Sequence, residues 1–513
     1  MHKLIKFLTS RFLWVALIVL FQLAWIVYAI LRISGPYYAY VTVVSSCIAV
    51  VLTILIVRQR ANSSYKLSWT IVVLGVPLIG PVLFLLFGGK TIARHFLKKF
   101  NKIDEHIKHI VSQDKEVLKA LELKDADAKK IAVYLDDCAQ APVYDNCETK
   151  YFPSGEEYFK QFCIELEKAE KFIFIEYFII NRGLMWDTVM EILERKVLEG
   201  VEVRIIYDDL GCICLLPFAY EKKLSAKGIQ CRSFNPVYPV LSAIHNNRDH
   251  RKITVIDGKV GFTGGINMAD EYINHISKYG FWKDAGIMIK GAAVWNLTAM
   301  FLSTWNSIEF TDKEFDKYLL KASDISVDNP VGYVQPFGDM PFDAEQVAEN
   351  VYLSIINSAK KYVYFYTPYL IIDDELMRAF LVAAKSGVDV RIMTPHVPDK
   401  KFVFMLTRSY YKQLVDSGVK VYEYLPGFLH SKCCVSDDTK AVIGSINLDF
   451  RSLYLHFECG TFVYGADAVG ELYDDFMNTL ESQTVEVNEA FLKTIPWYVK
   501  LLQAVLRLFA PML

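Results

Sequence analysis

Two histidines in this chain stand in the same local pattern. His250 opens "HRKITVIDGKVGFTGGIN" and His430 opens "HSKCCVSDDTKAVIGSIN". Each is followed at fixed spacing by a lysine (Lys252, Lys432), an aspartate (Asp257, Asp437) and a Gly-(Gly/Ser)-x-Asn that brings Gly265 and Asn267 or Ser445 and Asn447. A single His-x-Lys means nothing, but two copies with identical internal spacing point to a site built twice. Two imidazoles beside two ammonium groups attract an oxyanion such as a phosphoryl group. The same lysines repel a divalent cation, so neither a metal nor another cofactor is expected. The plain alternative is a pair of surface histidines without a role.

These residues must be positioned by strands. Alternation along an extended chain puts His250 and Lys252 on one face, and likewise His430 and Lys432. Asp257 and Asp437 have the opposite parity and are expected to brace a turn rather than touch substrate. Asp257-Gly258 is a favoured hairpin dipeptide. The returning strand would bring the small residues Gly264, Gly265, Gly444 and Ser445 beside the histidines, leaving room for a phosphoryl group to which Asn267 and Asn447 donate.

The surrounding sequence repeats as well. "KFIFIEYFI" (171–179) resembles "KYVYFYTPY" (361–369), "EGVEVRIIYDD" (199–209) matches "SGVDVRIMTPH" (386–396), and "KGIQCRSFNP" (227–236) matches "SGVKVYEYLP" (417–426). Continuous apolar strands separated by amphipathic helices imply a sheet covered on both faces. The expected fold is therefore α/β: two pseudo-symmetric α/β/α sandwich units, residues 141–325 and 326–490. A helical connector (103–140) precedes them and an amphipathic tail (491–513) follows.

Residues 1–102 contain twelve Lys or Arg and no acidic residue, which leaves 44 basic against 58 acidic residues in 103–513. An acidic body is poorly suited to nucleic acid, whose binding rests on phosphate neutralisation, whereas a basic, apolar head suits a bilayer. Residues 12–33 and 37–57 are each long enough to span one. The stretch 67–87, interrupted by Pro77, Gly80 and Pro81, reads as a re-entrant hairpin or a third span. Basic clusters at Lys3, Lys6 and Arg11, at Arg58, Arg60 and Lys66, and at Lys90, Arg94, Lys98 and Lys99 favour two spans, the hairpin and a cytoplasmic body. The ten cysteines form no ligand or redox motif and read as reduced, mostly buried thiols; parity puts Cys434 on the face of Lys432.

The duplicated motifs, together with "RDHRKITVIDG", "GGINMADEY", "YEYLPGFLHSK", "GSINLDFRSLYLHFE", "PLIGPVLFLLFG" and "RLFAPML", resemble the phospholipase D superfamily and, within it, the bacterial cardiolipin synthases. Departures are Gly265 where that family usually has Ser, His456 where Asn is common, and the Cys433–Cys434 pair. The resemblance implies two-step phosphatidyl transfer between two phosphatidylglycerol molecules in a bilayer, yielding cardiolipin and glycerol. It implies His250 as nucleophile and His430 as acid/base, with Lys252, Lys432, Asn267 and Asn447 on the phosphoryl oxygens. Glu458 in the second half and Asp284 in the first are the carboxylates expected to orient the imidazoles. Tyr410, Tyr411, Tyr422, Tyr424 and Phe428 offer an aromatic approach to the second motif. The rival readings are a phospholipid hydrolase or other phosphatidyltransferase, a nuclease, and a non-catalytic membrane scaffold. Oligomeric state is not fixed by these features.

Overall fold

The computed structural model describes residues 11–88, 93–240, 243–325, 327–342 and 345–512. Lys3, Lys6 and Lys90 of the basic clusters lie outside the described residues. The body consists of two mixed sheets with the same strand order. One runs Cys147–Phe152, Gly286–Gly291, Val260–Gly264, Lys252–Ile256, Phe172–Tyr177, Glu202–Asp208, Gln230–Phe234. The other runs Tyr333–Asp339, Glu458–Tyr464, Lys440–Gly444, Cys433–Ser436, Tyr362–Tyr366, Asp389–Pro395, Lys420–Tyr424, and adds Thr484–Glu486 at its edge. The strands are apolar on both faces because helices cover both. Gly155–Glu167 and Leu184–Leu198 pack on the outer face of the first sheet. Val347–Ser358, Asp374–Lys385 and Lys401–Val415 cover the outer face of the second.

Between the sheets lie Val294–Ile308 and Asp467–Gln483, in one core shared by both halves. Phe174 stacks on Phe301 at 4.5 Å and Tyr364 on Phe476 at 4.9 Å. The halves also join through backbone: Phe281–Lys283 pairs in parallel with Gly427–Leu429. The connector is built into the body rather than hung outside it. Ala126–Ala139 buries Ile131 and Leu135 in the core of the second sheet, and Phe100 of Ala93–Ile107 packs on Phe457 at 5.1 Å.

The two motif aspartates do the same work in each half. Asp257 accepts from the backbone N–H groups of Glu170, Lys171 and Phe172 at 2.7–2.8 Å. Asp437 accepts from those of Lys360, Lys361 and Tyr362 at 2.7–3.0 Å. Each sits at φ 54° in the loop of a β-hairpin, a left-handed conformation that a short hydrogen-bonding side chain tolerates. The carboxylate thereby fastens the turn to the start of the neighbouring strand.

At the N-terminal end the structure corrects the two-span expectation. Residues 12–33 and 37–57 do not fold back on each other. They belong to one helix, Arg11–Arg58, kinked at Tyr37 (φ −117°, ψ 21°) just after Pro36. A proline within a helix gives a kink where no loop is long enough to reverse the chain. Among the described residues, only Ala39–Arg58 is long and apolar enough to cross a membrane. In the first stretch, Gln22 Nε2 donates to the Pro239 carbonyl of the body at 3.0 Å. Ser63–Gly75 and Gly80–Phe87, 13 and 8 residues long, turn through residues 76–79 and pack Trp69, Val73 and Phe84 against Ala49, Leu52 and Ile56. Neither helix has the ~20 residues needed to span.

Candidate active site

The lead-in to each motif histidine is paired with the other half of the molecule. His250 N–H donates to the Phe457 carbonyl at 2.9 Å, and His430 N–H donates to the Lys283 carbonyl at 2.7 Å. The residue after each of those carbonyls is a carboxylate. Glu458 therefore stands against His250, with its oxygens 2.9 and 3.1 Å from Nδ1, and Asp284 stands against His430, 2.6 Å from Nδ1. Each imidazole is thus oriented by the carboxylate of the opposite half, an exchange that linear order does not reveal. With Nδ1 occupied by the carboxylate, Nε2 is the nitrogen left for chemistry.

The two pairs are not equivalent. Glu458 also accepts from the Ser445 hydroxyl, which in turn takes the Cys459 N–H at 3.1 Å. Asp284 accepts from Ala285 N–H at 2.8 Å and, among the described residues, has no hydroxyl partner, because Gly265 stands where Ser445 stands in the other half. A Cβ at position 265 would lie 2.1 Å from Asp284 Oδ1. Glycine here makes room for the shorter carboxylate rather than merely lacking a hydroxyl.

All six groups are buried, and burial disfavours charge. It holds His250 and His430 well below the usual imidazole value, helped by the neighbouring lysines. It pulls Lys252 down to about 8 and Lys432 to about 7, against the attraction of the carboxylates. It pushes Asp284 up to about 6 and Glu458 to about 7, against the attraction of the lysines. Burial thus lowers the positive charge of the lysines and the negative charge of the carboxylates together, and an entering phosphodiester anion would favour the protonated lysines. The ammonium group of each lysine donates to the backbone carbonyl of its own histidine, tying charge and imidazole together.

Asn267 is largely committed within the protein. Its Oδ1 takes the Ile179 N–H at 3.0 Å and its Nδ2 donates to the Tyr272 hydroxyl at 2.7 Å, which leaves one amide hydrogen. Asn447 bonds Asp449 and keeps a buried Oδ1 without a partner. Of the aromatics expected before the second motif, Phe428 packs on the His430 ring at 5.7 Å, while Tyr410, Tyr411 and Tyr424 are buried in the cores. Tyr422 is half-buried at the edge of the inner core. Aromatics that the sequence reading missed line the site instead: Phe178 lies 5.0 Å from His250, and Trp282 and Tyr272 lie 5.4 and 5.5 Å from His430. Trp282 was legible in principle, two residues before Asp284. Cys434 does not face the site. It lies in the outer core of the second half, and burial raises its thiol to about 12.

Two motif histidines, each with a carboxylate behind and a lysine beside it, stand on a duplicated mixed sheet of the phospholipase D type. Residues 162–290 and 352–480 each match the family model described as cardiolipin synthase, PLD-like domain, and 47–89 match a phospholipase D-nuclease N-terminal model. Similar proteins include a cardiolipin synthase of Geobacillus kaustophilus, 35% identical with 92% of this chain and 93% of the relative covered. Another is an uncharacterized protein of Streptococcus mutans, 44% identical with 89% and 98% covered. The fold is shared with the phosphatidylserine synthase of Haemophilus influenzae, at TM-score 0.55 and 15% identity over 75% of this chain and 97% of that one. The chain belongs to the cardiolipin synthase family of phospholipase-D-like phosphatidyltransferases.

Proposed function

We propose that this chain is a membrane-bound enzyme that moves a phosphatidyl group from one phosphatidylglycerol to another, giving cardiolipin and glycerol through a phosphatidyl-histidine intermediate. The observation that carries this reading is the pair of buried imidazoles, each with Nδ1 on a carboxylate from the opposite half. In the first step Nε2 of His250 attacks phosphorus, the bond to the glycerol oxygen breaks, and His430 gives that oxygen its proton. In the second step His430 takes the proton of the acceptor hydroxyl, the new P–O bond forms, and the N–P bond breaks. Lys252, Lys432 and the free amide hydrogens of Asn267 and Asn447 serve the phosphoryl oxygens.

The unequal carboxylates support this assignment of roles. Glu458 divides its acceptor capacity between His250 and Ser445, so it supports a proton on His250 less strongly and favours the neutral nucleophile. Asp284 bonds His430 more closely and lacks that competitor. The incoming phosphodiester anion raises the proton affinity of both rings, which lets His430 carry a proton when it is needed.

Membrane attachment is supported at both ends of the chain. Ala39–Arg58 can cross a bilayer. The helix Trp497–Leu508 turns two polar residues inward while Lys500 stays exposed: Gln503 is buried and donates to the Met405 carbonyl, and Arg507 stacks on Tyr410 at 4.2 Å. Its apolar residues Trp497, Tyr498, Leu501, Leu502, Val505 and Leu508 are exposed, with Trp497 76% accessible. A helix that shows its apolar face outward beside an anchor suits the membrane surface; Ser68 of the anchor donates to the Leu508 carbonyl at 2.6 Å. Arg58, Arg60 and Lys66 directly after the spanning half support a cytoplasmic body by the positive-inside rule. The deciding experiment gives the purified protein phosphatidylglycerol alone. Cardiolipin with equimolar glycerol supports the proposal, whereas phosphatidic acid as the main product makes the protein a hydrolase.

A further inference from the structure

His456 takes no part in the scheme above, yet it lies inside the site. Its ring centroid is 5.6 Å from that of His250, and its Nδ1 is 3.9 Å from Glu458 Oε1. Among the described residues neither of its ring nitrogens has a hydrogen-bond partner, and both are buried. An imidazole buried with both nitrogens unsatisfied is costly, and it is held here by its neighbours: its backbone N–H is bonded to the Arg451 carbonyl at 2.9 Å, and Phe457 beside it is clamped between the halves.

One nitrogen of His250, one of His456 and one oxygen of Glu458 lie within 4.8 Å of one another. Two imidazoles and one carboxylate are a donor set for a borderline divalent ion such as zinc or cobalt, not for magnesium or calcium. Ligands bound at about 2.0–2.2 Å in a tetrahedron stand roughly 3.4 Å apart. The His250–Glu458 separation of 2.9 Å and the His456–Glu458 separation of 3.9 Å lie on either side of that value. The third pair, His250 and His456, lies within 4.8 Å, so side-chain rotations would have to draw the imidazoles together around a metal.

We propose that His250, His456 and Glu458 form an inhibitory site for a zinc-like divalent cation, which arrests the enzyme by capturing its nucleophilic histidine. The ion displaces the proton shared between His250 Nδ1 and Glu458, and that proton is taken up by Nε2 of the same ring. His250 then loses the carboxylate that orients it, and its lone pair is no longer free for phosphorus. Lys252 and Lys432 oppose a cation at this place, so the metal acts as an inhibitor rather than as a resident cofactor. Part of the proposal rests on His250 acting in transfer, but metal binding itself does not.

The test uses the full chain in detergent, with Co2+ as the spectroscopic probe and Zn2+ as the inhibitor. The wild type should bind Co2+ with the visible absorption of a four-coordinate site, and Zn2+ but not Mg2+ should suppress transfer. His456→Asn should keep its turnover, lose the cobalt band and need more than about tenfold more zinc for the same inhibition. His250→Ala should lose the cobalt band as well. Equal zinc sensitivity in His456→Asn and the wild type would put the metal on thiols or lipid and overturn the proposal, as would a wild type without the cobalt band. If the lipid assay gave phosphatidic acid while His456→Asn still lost the band, the proposed reaction would fail and the metal site would stand.

Discussion

At the scale of single residues, the proposed mechanism divides one reaction between the two motif histidines, so removing either should stop it. His250→Ala and His430→Ala should each lower kcat by at least about 10³-fold, as expected for loss of a nucleophile or its acid/base partner. Co-sedimentation with membranes should be unchanged, and near-normal turnover in either variant would refute the paired scheme. Gly265→Ala tests the close approach to Asp284. The added methyl must push Asp284 off His430, so kcat should fall while KM changes little, read from initial rates in mixed micelles. The lysines set the alkaline limb. Their folded values are pulled down to about 7 for Lys432 and about 8 for Lys252, so the free enzyme loses positive charge as pH rises through that range. Because kcat/KM reports free-enzyme groups, it should decline from about pH 7 to 8; a plateau persisting to pH 10 would show that the lysines keep their charge.

At the scale of elements, the aspartates of the repeated motif hold strands rather than substrate. Each carboxylate takes three backbone N–H groups. Asp257→Ala should cost about 3 kcal/mol, since bonds to a charged acceptor are among the stronger ones and the donors would be left unpaired. The buried Asp257 should matter more than the half-buried Asp437. Thermal melts of the two variants in detergent measure this, and an unshifted melting temperature for Asp257→Ala would contradict it. Parity along the strand was enough to assign these residues a bracing role, because side-chain alternation is a local property. It could not show which backbone they brace, since residues 170–172 and 360–362 lie about eighty positions earlier in sequence.

At the scale of the whole molecule, function depends on how the two halves and the membrane-facing parts are joined. The inner helices Val294–Ile308 and Asp467–Gln483 bind both sheets into one body, and the short strand pair 281–283 with 427–429 sets the register that delivers Asp284 to His430. The apolar face of the last helix belongs to this scale too. Leu501→Asp with Val505→Asp should weaken vesicle flotation of a chain lacking residues 1–88 by several-fold, without changing its circular dichroism. Unchanged flotation would show that this face does not meet lipid. The anchor was misread at this scale as well. Two runs of suitable length looked like two spans, but hydropathy counts residues and does not see whether the chain reverses between them; at Tyr37 it only bends.

The sequence by itself determined the duplicated α/β fold, the paired His-x-Lys motifs and an apolar N-terminal segment. All of these are written in spacing, alternation and composition, which are local. Tertiary structure decided the rest. It gave each histidine the carboxylate of the other half, made Gly265 a requirement of Asp284, buried Asn267 in its own hydrogen bonds and brought His456 to the back of His250. Those are facts of contact between residues five to more than two hundred positions apart, and contact depends on how the two sheets pack about their shared core.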